Sequence, residues 1–451
     1  MNFHALRVAT GVFLSLVLHA AGSVHYVDVN SANPTTPYLD WSTAATNIQG
    51  AVDVAVAGEK ILVTNGVYAT GGRVVYGALT NRVAVTKPLT VQSVNGPVVT
   101  VIQGNGPIGT NAVRCVYLTN NAVLIGFTLT NGATRNLGDS IKEQSGGGAL
   151  CESTNSLLLN CLVVSNTAQQ RGGGIECGTC NNSKLFANMS EYGGAEDNGI
   201  LNNCVVVANS SLSGAIQNGI SRNCTIVSNS AGATDGKLFN CVIYYNSGGN
   251  FAGSRHTNCC TTPLPPGQGN FTNAPLFSNA AAGDFHLQTN SPCINAGNNA
   301  YAAGTTDLDD NPRISGGTVD IGAYEIQSPA SVISYAWLQK YGLSTDGSAD
   351  YADSDGDGMN NWQEWSAGTN PTNALSVLKM LAPSNAAPGI TVTWQSVAAI
   401  TYYLQRSTNL TGQPTFTSQQ SNIVGQAVTT AYTDTNVLGG GPFFYRVGVQ
   451  H

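Results

Sequence analysis

This chain is short of charge. Of its 451 residues only 10% are charged, where ordinary globular chains carry about 25%, so Asn, Ser, Thr and Gly must solvate the surface instead. The 18 basic residues face 25 acidic ones and form no basic cluster, which argues against nucleic acid as a partner. Histidine is scarce as well: past the first 22 residues only His25, His256, His286 and His451 occur, none in a recognisable catalytic context. Long apolar runs are missing beyond the amino terminus. Residues 1–22 read as a secretory leader, with Arg7 as its positive end, Val8 to Leu18 as its apolar core and Ala20, Ala21 and Gly22 as small cleavage residues. That core is shorter than the roughly 20 residues a membrane span needs. The expectation is an exported chain with no transmembrane segment once the leader is removed.

What is present is a repeated phrase. It runs from Asn160 and Cys161 to Asn166, again from Asn203 and Cys204 to Asn209, from Asn223 and Cys224 to Asn229, and from Asn240 and Cys241 to Asn246. A degenerate copy spans Asn182 to Asn188, and Asn258 with Cys259 starts a last one. The anchors 161, 183, 204, 224, 241 and 259 lie 22, 21, 20, 17 and 18 residues apart. That period is too short for a helix pair and fits a β-solenoid or a leucine-rich repeat. Regular leucines are lacking. Each unit is instead a β-branched run ending in Asn, preceded by a Gly-rich segment such as Gly146 to Ala149, Gly172 to Ile175, Gly193 to Ala195 or Gly214 to Ile216. Two or three short strands between Gly and Asn turns make one coil of a parallel β-helix.

Stacking puts equivalent residues in columns about 4.8 Å apart. Asn131, Asn166, Asn188, Asn209, Asn229 and Asn246 are expected to form an amide ladder at a turn, since Asn tolerates left-handed backbone and bonds turn amides. Cys161, Cys204, Cys224, Cys241 and Cys259 are expected to form an inward column of free thiols, Cys behaving as a small buried hydrophobe. Cys115, Cys260 and Cys293 fall outside the columns. With eleven Cys in an exported chain, any disulfide or reactive thiol is expected among those three. Residues 43–57, with Ile48, Val52, Ala55 and Val56 at helical spacing, read as a helix covering the open end of the solenoid. Ile61 to Tyr68 then starts the coils.

These units resemble the right-handed parallel β-helix proteins of the pectin-lyase-like fold and the repeats of polymorphic outer-membrane proteins, over roughly Val24 to Gln327. Ser291 to Gly297, Asp309 to Arg313 and Asp320 to Glu325 resemble the closing segment of exported bacterial β-helix proteins of the choice-of-anchor type. The resemblance implies a secreted or cell-surface protein of a bacterium and names no reaction. The residues left after the solenoid are too few for an autotransporter barrel.

Two appended modules complete an all-β chain: leader 1–22, β-helix 23–327, a calcium-loop helical module 328–375 and a small β-sandwich 376–451. Asp353, Asp355 and Asp357 stand at places one, three and five of a twelve-residue calcium loop. Gly358 fills place six, the Met359 carbonyl seven, Asn361 nine and Glu364 twelve. Three aspartates within five residues repel one another unless a cation sits among them. This loop is similar to those of dockerin and thrombospondin type 3 repeats. A single loop, where a docking module carries two, points to a structural Ca²⁺ joint. The strands expected at Ile390 to Trp394, Tyr402 to Arg406, Ala431 to Asp434 and Phe443 to Val447 resemble a fibronectin type III domain.

Catalysis finds weak support. The clustered aspartates, Gly-His-Gly and Arg-Ile-Lys segments of polygalacturonase-like members are missing. Counting from the Gly-rich turns, Glu176 and Glu196 are expected to point outward about 5 Å apart on adjacent coils. Arg171, Asp139 and Glu143 lie near them in sequence. Such a pair suits a cation site or a retaining carboxylate pair. The reading favoured is a monomeric, non-catalytic extracellular protein that binds polysaccharide or surface partners. The alternatives are a polysaccharide lyase or glycoside hydrolase acting on an acidic polysaccharide, and a purely structural surface protein.

Overall fold

The computed structural model describes residues 22–450 apart from 387, 412–414 and 438–440; the expected leader therefore lies outside the described residues but for Gly22. From Val24 to Thr261 the chain winds a right-handed parallel β-helix of three sheets, with ten, nine and nine strands. The first sheet runs from Val24–Val27 to Arg255–Thr257, the second from Gly66–Tyr68 to Cys260–Thr261, and the third from Arg73–Val74 to Phe251–Ala252. Each full coil contributes one strand of two to six residues to each sheet, and equivalent strands pair in parallel register, as Leu185 does with Val163 and Val206, save Arg73–Val74 at the start of the third sheet, which pairs antiparallel with Thr80–Val85. Alternate side chains point inward and build one continuous core of Val, Leu, Ile, Ala and Cys.

The asparagine ladder is present. The backbone N–H and Nδ2 of Asn188 both donate to Asn209 Oδ1, at 2.9 and 3.0 Å. Asn209 donates in the same way to Asn229, Asn229 to Asn246, and Asn246 to Asn250. At its amino-terminal end Asn166 donates to Asn188, and its own Oδ1 accepts from Gly132 N–H at 2.8 Å. Asn131 is therefore not a rung, contrary to expectation. It sits one place earlier, in the left-handed turn position (φ 53°) that Ser165, Ala187, Ala208, Ser228 and Tyr245 occupy in later coils. Left-handed tolerance thus belongs to a different asparagine column: Asn160, Asn182, Asn203, Asn223, Asn240 and Asn258, each just before the anchor, have φ of 47–52°.

The anchor cysteines stack inside as expected. Register pairs Val205 with Thr225 and Thr225 with Val242, which sets Cys204, Cys224 and Cys241 at one-coil spacing, all buried. All eleven cysteines are free, Cys115, Cys260 and Cys293 included, the three among which any bridge would fall. Cys260 and Cys293 pack instead as apolar groups under the closing segment.

At the amino-terminal end α1 (Ile48–Val54) buries Ile48, Ala51 and Val52. The Gln49 amide accepts from Ala84 N–H at 2.7 Å and reaches Ala84 carbonyl at 3.4 Å, serving backbone groups at the open end of the third sheet. The helix is shorter than the pattern suggested: Ala55 is buried, but Val56 is exposed beyond its end.

After Thr261 the chain folds back along the outer face of the second sheet. Val205, Val227 and Val242 point out of the coils there and are covered by Phe277, Phe285, Ile294, Ile321 and Tyr324. The left-handed asparagines hold this cover: Asn203 Nδ2 donates to Ala303 carbonyl at 2.6 Å, Asn223 Nδ2 to Asp320 carbonyl, and Asn240 both donates to and accepts from the Asn298 backbone. The acids of the closing segment bind its own loops. Asp320 accepts from Asn295 and Ile326 N–H, Asp307 from Asp309, Asn311 and Glu325 N–H, and buried Arg313 pairs with Glu325 at 2.7 Å. Two short helices follow, α2 (Tyr335–Lys340) and α3 (Asn361–Ala367). Two three-stranded antiparallel sheets then pack around Trp394, Tyr402 and Leu404.

Register on the third sheet departs from the spacing argument. Ala149 pairs with Ile175, Ile175 with Glu196, and Glu196 with Ile216. Ala149, Ile175 and Ile216 belong to the core, so Glu196 points inward, and its neighbour on the column of Glu176 is Asp197. The turns before these strands are equal in length, Ala149, Ile175 and Glu196 each standing three residues past the left-handed Gly146, Gly172 and Gly193; Ala195 takes the place of the third glycine, so a count from the end of the Gly run slips by one residue. A Glu196 oxygen accepts from Gly199 N–H, and the other is buried without a partner. Gly199 and Gly219 leave the space the carboxyl occupies, since a Cβ there would meet its oxygens at 2.6 and 2.8 Å. Burial raises this carboxyl well above its ordinary range, and the nearby Asp197 and Glu176 add to that.

Two outcomes follow from this architecture. Replacing Asn209 by Ala leaves Asn188 N–H and the Leu185 carbonyl unpaired inside the stack. At about 1–3 kcal/mol per buried group left unmatched, urea unfolding should show a loss of about 3 kcal/mol or more. For Glu196 the folded chain keeps a proton that the unfolded chain releases above about pH 4.3, so its burden on stability is absent at low pH and grows as pH rises. E196Q should raise Tm by a few degrees at pH 8 and leave it unchanged at pH 4, read by calorimetry at both pH values.

Candidate functional site

The acidic loop 353–364 builds its own turn from side chain to backbone bonds. Asp353 accepts from Gly356 and Gly358 N–H at 2.8 and 3.0 Å, Asp355 from Asp357 N–H at 3.3 Å, and Asp357 from Met359 N–H at 2.8 Å. Gly358 turns the chain at φ 96°, a conformation other residues resist. Asn360 then caps α3 in a reciprocal capping box with Gln363. One oxygen from each of Asp353, Asp355 and Asp357 lies within 4.8 Å of the others, the one such trio among the described residues.

The telling atoms are those left over. Asp355 Oδ2, Asp357 Oδ2, Asn361 Oδ1 and Glu364 Oε2 are shielded from solvent and have no hydrogen-bond partner. Buried polar atoms are almost always paired, and four unpaired oxygens on one loop fit a hard cation, which prefers oxygen ligands. Glu364 and Asn361 are fully buried. Burial first, then Asp355 and Asp357, push the Glu364 carboxyl up to about 7. Asp350, just before the loop, accepts from Ser331 Oγ at 2.6 Å and Val332 N–H at 3.0 Å within the same module, and Tyr335 N–H donates to the Ile294 carbonyl of the closing segment at 3.1 Å.

The outer face of the third sheet carries Leu150, Glu176, Asp197, Gln217 and Thr234 in one column. Arg171 reaches Asp197 at 3.5 Å, Asn218 donates to Asp197 at 3.0 Å, and Asn198 to Glu176 at 3.3 Å. Burial, with Asp197 beside it, pushes Glu176 up to about 8, so it is largely protonated at neutral pH. Glu176 is 4% exposed and Asp197 0%, which keeps a substrate from both. Glu196, the other half of the expected pair, lies in the core. Asp139 and Glu143 hold the insertion itself, Asp139 through Ile141 and Lys142 N–H, and Glu143 through Ala78 N–H and Arg135.

A more open place is on the first sheet. Asn181, Asn202, Arg222 and Phe239 stand in register on successive coils. Asn202 Nδ2 donates to Asn181 Oδ1 at 2.9 Å, and Asn202 Oδ1 has no partner. The Arg222 guanidinium lies 5.8 Å from the Phe239 ring, which stacks on Tyr301 at 4.5 Å. The closing segment at Ala303 and Gly304 walls one side, leaving a cavity of about 270 Å³ over the asparagines and Arg222. The repeat spacing was enough to place Asn181 and Asn202 in one column; the wall comes from a segment a hundred residues away.

No known sequence family matches the chain, and no curated protein matches it. Among solved structures it is similar to the pectate lyase Pel9A (TM-score 0.42, 15% identity, covering 68% of this chain and 97% of that one). It is also similar to a rhamnogalacturonan lyase (0.32, 13%, 50% and 69%) and to the pectin methylesterase PemA from Erwinia chrysanthemi (0.28, 10%, 52% and 78%). Likeness at this distance carries no argument about activity, and the β-helix stands on its own three parallel sheets.

Proposed function

We propose that this is an exported, non-catalytic β-helix protein that binds polysaccharide along its first sheet and holds a structural Ca²⁺ in the loop 353–364. The observation that carries the binding reading is the groove of Asn181, Asn202 and Arg222 beside Phe239 and Tyr301. Amides and a guanidinium offer donors and acceptors to hydroxyls and carboxylates, and their one-coil repeat suits a repeating ligand. Against catalysis stands the third sheet, where Glu196 faces the core and Glu176 and Asp197 are closed to substrate. The second reading, a glycoside hydrolase or lyase, draws on one feature. Glu176 stands beside Arg171-paired Asp197, two carboxyls on one column, both raised by burial and Asp197 held down in part by Asn218 and Arg171, as an acid and a nucleophile would be set apart.

In the calcium loop, Asp353, Asp355, Asp357, Asn361, Glu364 and the Met359 carbonyl would hold the ion, which neutralises the carboxylates and fixes α3. Asp350 joins α3, through Trp362 N–H, to Ser331 and Val332 ahead of α2, so ordering of the loop by the ion would carry to the segment between the solenoid and the C-terminal sheets.

On a glycan array the protein should retain one or more polysaccharides while releasing neither unsaturated products nor new reducing ends. The pair N202A and R222A should weaken that binding about tenfold, and E176Q with D197N should leave it unchanged; loss with the acids and not with the groove would move the site to the third sheet. Calorimetry should show one Ca²⁺ bound at about 10⁻⁴–10⁻³ M, as extracellular modules do. A chelator should raise proteolysis within residues 345–370 while the β-helix stays intact; equal cleavage with and without it, and no bound calcium, would leave an ordinary acidic turn.

A further inference from the structure

Where the last coil, the closing segment, α2, α3 and the C-terminal sheets meet, two cavities of about 260 and 590 Å³ adjoin, sharing Trp365 and Gly297. The smaller is walled by Trp337, Trp365 and Phe271 and by the polar residues Asn258, Asn270 and Asn295. Trp337 is held edge-on by Tyr341, ring centroids 5.0 Å apart. The larger is lined by Gln268, Asn299, Thr318, Ser366, Thr401 and Gln450 among others. Lys340, on the smaller cavity, is the one charged residue lining either.

One residue on the wall of each cavity also carries a polar atom with unmet capacity. Asn295 Oδ1, on a wall residue of the smaller, and Ser366 Oγ, on a wall residue of the larger, are shielded from solvent and have no hydrogen-bond partner. Asn295 is wholly buried, its Nδ2 committed to Ser331 carbonyl at 2.7 Å. Such atoms call for a partner.

We infer that this junction cleft binds a second glycan, a largely neutral oligosaccharide, distinct from the groove on the first sheet. The chemistry of the lining sets the class. Without a cluster of cations it cannot balance a polyanion or a phosphate. Amides and hydroxyls pair with hydroxyl groups, and aromatic rings pack on the C–H faces of pyranose rings, as in ligand pockets that combine aromatic walls with a few placed polar groups. Two joined cavities exceed the room one sugar ring needs, so the ligand is a chain. Trp365 directly follows Glu364 in α3, so the loop's conformation also sets one wall of the cleft.

This inference rests on the reading of the chain as a glycan binder, and the test separates the two. The full-length protein with calcium is titrated by calorimetry with hexasaccharides of cellulose, xylan and mannan, and with hexagalacturonate as the charged comparison. A neutral hexasaccharide should bind, shift tryptophan emission, and lose at least tenfold in affinity in W337A/W365A. Ala300→Tyr, on the exposed rim of the larger cavity, should cost a similar factor without disturbing packing, while N202A/R222A should keep that affinity. Neutral-sugar binding that survives A300Y and both Trp changes but falls with N202A/R222A overturns the junction site and leaves the groove. Absence of binding to every glycan overturns both.

Discussion

The interaction on which the solenoid depends is a buried amide stack. Between the second and third sheets every coil must turn, and a turn inside a stack leaves backbone N–H and C=O groups where water does not reach. From Asn166 to Asn246 each side chain takes up those groups and passes its own donors to the next coil's oxygen, ending on Asn250. No ion is needed, and the bonds run along the axis in the same direction as the strand ladders. A chain with 10% charged residues can therefore stay rigid, because stacked amides replace the ion pairs it lacks.

The same residue type does different work one corner away. Asparagines just before the anchor cysteines turn left-handed, and their side chains face out of the stack. There they bind the backbone of the returning closing segment at Ala303, Asp320 and Asn298. This gives the repeat a consequence beyond the coil: the column that shapes the corner is also the strip on which residues 296–320 are laid. The first-sheet groove is a by-product of that docking, since its far wall is the docked segment. The outward valines of the second sheet, which would otherwise form an apolar patch, are covered by the same fold-back.

The carboxylates divide by what surrounds them. In the closing segment Asp307, Asp320 and Glu325 accept from backbone N–H groups and from Arg313, and their role is to hold irregular loops. In the loop 353–364 the oxygens left over after the turn is built have no partner at all. That contrast, and not the number of acids, supports the cation reading of the one and the structural reading of the other. Glu196 is a third case, a carboxyl in an apolar core, tolerated because Gly199 and Gly219 make room for it.

The sequence by itself determined the coil and the acidic loop. The period of the Asn–Cys phrase, the β-branched runs and the Gly turns are local constraints, and each coil repeats them, so the stack, the inward thiols and most of the ladder were legible. The acidic turn Asp353 to Glu364 was legible for the same reason, since its carboxylates lie within one turn and one helix. Tertiary structure decided the rest. Strand pairing has a side-chain period of two, so with Ala195 in place of the third glycine a count from the end of the Gly run slips by one residue, and register sends Glu196 inward and sets Asp197, not Glu196, beside Glu176. Asn131 failed as a rung for a like reason, Gly132 standing at the ladder position. The groove wall at Ala303 and the cleft at Trp337 and Trp365 join segments far apart in the chain, and their meeting is fixed by packing against the finished solenoid, which no local pattern encodes.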